Sequence, residues 1–172
     1  MCAIVACVGD SRCITDDGNK DPDSFRPVTR DHRPSEPDEQ RRLKKYVADG
    51  VAFLERDEYE ALRLYPGGLA VSRTIGDLLL SRAAVPEPDV YPVSLRLENQ
   101  ATYRFVIASD GVWDTFDTEV VGRLAAREKT MEDGSTRVTS VREAAREIMD
   151  DCIKKGGYMD DVTVLVMDVS LR

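Results

Sequence analysis

Residues 104–117 read RFVIASDGVWDTFD, and this stretch decides the fold because a strand-forming apolar run passes directly into three aspartates and a tryptophan. Aromatic and β-branched residues from Tyr103 to Ala108 suit a buried strand, so the charge that follows marks one rim of a sheet. Downstream, Val120, Val121, Leu124 and Ala125 share one face of a helix predicted from about Thr118 to Glu128. TMEDGSTRVT reads as a loop. Ser140 and Glu143 form a capping-box pattern for a second helix reaching Lys155, with Val141, Ala144, Ala145, Ile148, Met149 and Cys152 as its apolar stripe and Gly156 and Gly157 closing it. The β-branched run DVTVLVMDV predicts a last strand.

Upstream, PDVYPVSLRL reads as a strand on an edge, because Pro92 cannot donate to a ladder. VAFLE and GGLAVSR read as short strands joined by a charged turn from Arg56 to Arg63. Within RDHRPSEPDEQRRLKKYVADG, Ser35 followed by Asp38 is expected to cap a helix running to about Ala48, stopped by Gly50. Ala3 to Val8 forms an opening strand that ends in a Gly-Asp turn. Strands in antiparallel-compatible order with helices clustered late predict an α+β fold in which helices cover a sheet or a sandwich.

A chain of 172 residues is about the size of one domain. With 24 Lys and Arg against 32 Asp and Glu, the net charge of −8 repels polyphosphate, so no nucleic acid partner is expected. The longest apolar runs fall well short of the roughly 18 residues of a membrane span, and no signal pattern opens the chain. The expectation is a soluble intracellular protein with no membrane partner. Cys2, Cys7, Cys13 and Cys152 form no Cys-x-x-Cys pair and His32 is the single histidine, which argues against zinc and for free thiols. No cysteine is followed by an arginine at phosphate-loop spacing, which excludes cysteine-dependent phosphate chemistry.

Asp10, Asp110 and Asp160 each flank an apolar strand. In an antiparallel pair the end of one strand lies beside the start of its neighbour, so Asp110 and Asp160 are expected to face each other across one rim, with Asp10 able to join from a third strand. Gathered carboxylates raise each other's pKa unless a cation sits between them. Oxygen-only ligation favours hard ions such as Mg²⁺ or Mn²⁺, whose bound water is acidified into a nucleophile. Read singly, each of the four Asp-Gly pairs is an ordinary turn, and Trp113 is core.

Taken in order, VGDSR, DHRPS, LAVSRTIGD, PEPDV, ASDGVWD and MDDVTVLV resemble the blocks of the metal-dependent (type 2C, PPM) protein serine/threonine phosphatases. The resemblance implies a four-layer fold, an antiparallel β-sandwich flanked by helices, and hydrolysis of phosphoserine and phosphothreonine in phosphoprotein substrates through a metal-activated water. It implies two Mn²⁺ or Mg²⁺ ions, with a weaker third, in the complete domain. Asp110 and Asp160 would ligate the metals, and Asp10 and Asp114 resemble the pair at the third ion. Asp161 stands where the family usually has asparagine. Ser72, Arg73, Gly76, Asp77 and His32 are expected to be structural.

The family's phosphate-holding arginine and its Asp-Gly-His-Gly-Gly motif find no counterpart here, and no Asp-Gly-His occurs in the sequence. No catalytic residue is therefore assigned. The chain resembles the C-terminal portion of one phosphatase domain, incomplete at the N-terminus, with a monomer expected. A catalytically incomplete pseudophosphatase acting as a protein-binding module stays open as the alternative, whereas a calcium-binding loop does not fit, because no stretch alternates acidic residues before a terminal glutamate.

Overall fold

Side chains alternate between two apolar environments along the central strand, and this alternation organises the fold. The computed structural model describes residues 1–18, 21–96, 101–155 and 160–170. In chain order the elements are β1 (Cys2–Cys7), β2 (Arg12–Thr15), β3 (Arg26–Pro27), α1 (Pro37–Ala48), β4 (Phe53–Arg56), β5 (Leu62–Tyr65), β6 (Asp89–Ser94), β7 (Thr102–Ala108), α2 (Asp110–Trp113), α3 (Thr118–Ala125), β8 (Glu128–Thr130), β9 (Thr136–Val138), α4 (Val141–Lys154) and β10 (Val164–Ser170). They fall into two compact units, one of Met1–Val5, Ser11–Thr29 and Tyr91–Arg172 and one of Ala6–Asp10 and Arg30–Val90.

In the first unit β10, β7, β2 and β3 form a four-stranded sheet in that order, with β10 and β2 antiparallel to β7. Because successive side chains of a strand point to opposite faces, Ile14, Val106, Ala108 and Val166 meet the helices on one face. There they pack with Val112, Val121, Ala125, Ala144, Ile148 and Cys152. On the other face Cys13, Tyr103 and Phe105 pack against Ala3, Val5, Val93 and Leu95, the inner side of the β1–β6 pair. The layers run helix, sheet, sheet, an α+β arrangement as expected. Five side chains on the helical side, Ile14, Val106, Val112, Val121 and Ile148, are wholly buried, each contributing about 1.5–3 kcal/mol of transfer free energy. That layer is the main source of cohesion.

One cation lies within it. Arg104 is 1% exposed and donates to both Asp168 carboxylate oxygens at 2.7 and 2.8 Å, to Ala125 O at 2.8 Å and to Thr139 O at 3.1 Å. The charge is tolerated because every side of the guanidinium meets an acceptor.

The second unit packs α1 over β4 and β5 around Leu43, Ala52, Leu64, Ala83 and Ala84. Here several expectations need correction. The helix α1 starts at Pro37 and not under a Ser35 cap: Glu36 is its N-cap, extended and without a side-chain cap bond. A residue before proline is driven to extended backbone, and proline's fixed φ suits the first helical position. Gly50 does follow the helix end, in the left-handed region at φ 67°, where glycine alone is unstrained. Part of the expected Arg56–Arg63 turn is a strand, since β5 pairs with β4 through a tight turn in which Asp57 Oδ1 accepts the N–H groups of Tyr59 and Ala61. GGLAVSR is not a strand. Gly67 and Gly68 take positive φ, and only single bridges at Leu69 and Arg73 remain.

The later elements differ in detail. TMEDGSTRVT is no loop, because β8 and β9 pair as a ribbon across an Asp133-Gly134 turn. The helix α3 ends at Ala125, where Ala126 turns extended and its N–H reaches Arg123 O, so its backbone feeds β8. The capping box of Ser140 and Glu143 is present at the start of α4. Its buried stripe is Ala144, Ile148 and Cys152, while Met149 is exposed. Gly156 and Gly157 lie outside the described residues. The last strand begins at Val164 and leaves Asp161 to Thr163 as a link.

Candidate metal centre

The rim at the end of β7 is set by main-chain geometry before any carboxylate is considered. β7 and β10 keep register up to the pair Ala108 and Val164. Beyond it the ladder is extended by one residue: Ser109 N–H donates to Thr163 O at 3.1 Å. The Ser109 hydroxyl donates to Asp161 O and accepts from Thr163 N–H, both at 3.0 Å. Asp110 then opens α2, whose last turn is held by Trp113, 7% exposed, with Nε1–H donating to Ala108 O at 2.8 Å. The Arg12 guanidinium lies over the Trp113 ring at 5.0 Å. The aromatic ring and its polar edge thus pin the helix to the strand that precedes it.

This places Asp110 and Asp160 at the same rim of the first unit. Asp160 is exposed and its Oδ1 accepts the Asp161 N–H at 2.7 Å. Asp114 stands one turn beyond Asp110, its N–H donating to Asp110 O at 2.7 Å, with an exposed side chain. Gly111 makes this proximity sterically feasible, since a β-carbon there would sit 2.7 Å from Asp161 O.

Asp10 belongs to the second unit. It follows β1 on the Gly9 turn, φ 100°, and its Oδ2 lies 3.0 Å from Arg33 Nε. His32, 1% exposed, closes on the same turn: its Nδ1 accepts Gly9 N–H at 3.1 Å and its main-chain N–H donates to Gly9 O at 2.9 Å. With Nδ1 accepting, the ring proton is on Nε2, which donates to Asp89 Oδ2 at 3.2 Å. Arg73 joins Asp89 Oδ1 at 2.8 Å to Glu39 Oε1 at 2.6 Å, and Ser72 Oγ donates to Glu39 Oε2 at 2.7 Å. Burial alone would raise the Glu39 carboxyl, but the bonds from Arg73, Ser72 and Arg42 together hold it below the usual glutamate range. Ser72, Arg73 and His32 make supporting contacts of the kind expected. Burial first, then the charges of Asp31, Asp10 and Asp89, push the Cys7 thiol up.

As a metal centre, the rim fits in kind. Its donors are carboxylates, and Mg²⁺ is commonly held through one or two of them while keeping several waters. In number it supplies only part of a site, for among the described residues no group of three His, Cys, Asp or Glu is gathered closely enough to hold an ion. Sequence reasoning missed Ser109, Gly111 and Thr163, whose bonds exist only once two distant strands are in register. The Ser-Asp-Gly spacing beside Asp-Val-Thr was the available signal.

Comparison with known proteins agrees in kind. The family model for Protein phosphatase 2C matches residues 2–159. Probable protein phosphatase 2C 15 of Arabidopsis thaliana is 35% identical over 162 residues, covering 91% of this chain and 33% of the relative. Probable protein phosphatase 2C 3 of Oryza sativa subsp. japonica is 33% identical over 170 residues, covering 96% and 31%. The chain therefore spans about a third of the length of these curated relatives. Among solved structures, a C. elegans sex determining protein superposes with a TM-score of 0.72 at 26% identity, covering 96% of this chain and 36% of that one. A phosphatase from Toxoplasma gondii superposes with the same TM-score of 0.72 at 21% identity, covering 99% and 51%, a likeness of fold.

Proposed function

This chain belongs to the protein phosphatase 2C family, and from that premise we propose that it supplies part of the metal-binding rim of a protein serine/threonine phosphatase acting on phosphoprotein substrates. Asp110 and Asp160 hold the Mn²⁺ or Mg²⁺ ions, and Asp114 is a further acidic ligand; for Asp10, in the second unit, ligation is an implication of the family resemblance alone. When bound, such ions acidify a water and neutralise charge on a phosphoryl group. The chain's own part is to hold carboxylates in place: Trp113 fixes α2 against β7, and the Ser109 bonds tie the 161–163 link to the same strand end. The observation that carries the reading is this shared rim, where Asp110 opens the helix after β7 and Asp160 precedes the link bonded to Ser109. An intracellular monomer is part of the proposal, in keeping with four free cysteines. No helix among the described residues is long and apolar enough to cross a membrane.

A second reading, a protein-binding module without catalysis, is favoured by one observation, that no group of three metal-ligating side chains is gathered among the described residues. Mn²⁺-dependent hydrolysis of a phosphothreonine peptide by the purified chain, with Asp110→Asn as control, separates the two. Hydrolysis lost in the variant supports the enzyme. Hydrolysis untouched by Asp110→Asn overturns the assignment of the rim, and a folded chain that hydrolyses nothing favours the binding module.

A further inference from the structure

The motif around Asp110 contains a hydroxyl that the metal reading leaves without a task. Ser109 lies between two chain segments more than fifty residues apart and is bonded to the second one three times: N–H to Thr163 O at 3.1 Å, hydroxyl to Asp161 O at 3.0 Å, and Thr163 N–H to the hydroxyl at 3.0 Å. The first of these is ordinary ladder continuation. The other two are not, because a side chain here replaces the main-chain partners that the link has lost on leaving the sheet. Asp161 is the neighbour of Asp160, and Ser109 is the neighbour of Asp110. A single hydroxyl therefore links the residue that precedes Asp110 to the residue that follows Asp160.

The rest of the rim is shaped to let that hydroxyl act. Gly111 keeps α2 close to the link, its missing β-carbon leaving room for Asp161 O, the same oxygen that accepts the Ser109 hydroxyl. The Asp160 carboxylate accepts Asp161 N–H at 2.7 Å, so the peptide that joins the two aspartates is held at its N–H by Asp160, and the next carbonyl is held by Ser109. Both ends of the Asp161 residue thus carry a hydrogen bond, one local and one across to the end of β7.

We propose that Ser109 is a positioning residue for metal binding, its hydroxyl clasping the Asp161–Thr163 link so that Asp110 and Asp160 are presented to one divalent cation. This rests on the reading of Asp110 and Asp160 as ligands. Groups that orient metal ligands from behind characteristically change metal affinity by about 10- to 100-fold when removed, and the clasp belongs to that class.

The test is a MnCl₂ titration of the full chain followed by paramagnetic broadening of the amide signals of Gly111 and Asp161–Thr163, a readout that needs no catalysis. It is run on the native chain, Asp110→Asn, Ser109→Ala and Ser109→Thr, with melting temperatures recorded for each. The expected result is broadening in the native chain, none at matched concentration in Asp110→Asn, an apparent affinity about tenfold or more weaker in Ser109→Ala, and recovery in Ser109→Thr, which keeps the hydroxyl. Absence of broadening in the native chain overturns the ligand assignment and the clasp with it. Broadening in the native chain that Asp110→Asn leaves unchanged refutes the ligand assignment in the same way. Broadening that depends on Asp110 but is equal in the native chain and Ser109→Ala overturns the clasp alone, and a lowered melting temperature in that variant then assigns Ser109 a structural role only.

Discussion

Replacing Gly111 with alanine sets two effects of opposite sign against each other at the rim. Gly111 is the second residue of the four-residue helix α2, where alanine is favoured over glycine by at most about 1 kcal/mol, so helix propensity alone predicts a more stable protein. The new β-carbon, however, would lie 2.7 Å from Asp161 O, 3.2 Å from Asp161 C and 3.2 Å from a Val162 methyl. Two of these neighbours are main chain and cannot swing aside as a flexible side chain would. Overpacking of this kind costs about 1–3 kcal/mol, and a displaced Asp161 carbonyl also loses the Ser109 bond, about 1 kcal/mol more. The clash wins by about 1–3 kcal/mol once the propensity gain is subtracted. Urea denaturation of the native chain and Gly111→Ala measures the difference as a lower midpoint at unchanged slope, and thermal melting as a fall of about 2–4 °C per kcal/mol for a chain of this size. A variant as stable as the native chain, or more so, would falsify the close approach of α2 to the 161–163 link.

Arg104→Met removes a guanidinium with four bonds to three partners and leaves Asp168, Ala125 O and Thr139 O without it. The expected loss is about 3–5 kcal/mol, read by the same urea titration, and a loss under about 1 kcal/mol would show that the buried charge is incidental. Glu143 accepts first the Ser140 N–H, then its hydroxyl, then Arg137, which lowers its carboxyl from the ordinary 4.5 to about 2. Its folded value is depressed, so its contribution to the start of α4 is complete above the ordinary value and is lost as pH falls from there through about 2. Carboxyl ¹³C titration checks this directly, and an ordinary glutamate curve for Glu143 contradicts the capping box.

Where local chemistry acts alone, the sequence was readable. The capping box at Ser140 and Glu143 and the stop at Gly50 depend on a few adjacent residues, and both stand where they were expected. Ser35 misled because Pro37, two residues on, constrains Glu36 more strongly than a cap attracts a serine. β5 was hidden by its charges, which suggested a turn, although Leu62 and Leu64 alternate with Arg63 and Tyr65 as a half-buried strand does. The ribbon of β8 and β9 is short and exposed, with no apolar periodicity to reveal it.

At the rim, antiparallel pairing was enough to bring Asp110 and Asp160 to one edge on paper, because only strand order and direction were needed. The clasp at Ser109 and the Arg33 partner of Asp10 were not readable, since each depends on which residue lies opposite which. That is information about register, and no stretch of the sequence carries it locally.

The buried arginine bears on how that register is chosen in the first place. The middle strand of the sheet runs Thr102, Tyr103, Arg104, Phe105, Val106, Ile107, Ala108, and without its cation it is a nearly uniform greasy ribbon that would slide against its neighbours at little penalty. Slipping by one residue turns Arg104 toward the opposite face of the sheet, where Cys13, Leu95 and Val169 are apolar and offer it no counter-charge. Slipping by two keeps the face but carries the guanidinium away from Asp168, which lies directly opposite it in the native pairing. Both errors strand a charge out of water, so a misaligned sheet is less stable than the native pairing. Arg104 thus acts as a notch in a key, and the position of every carboxylate at the rim is inherited from it.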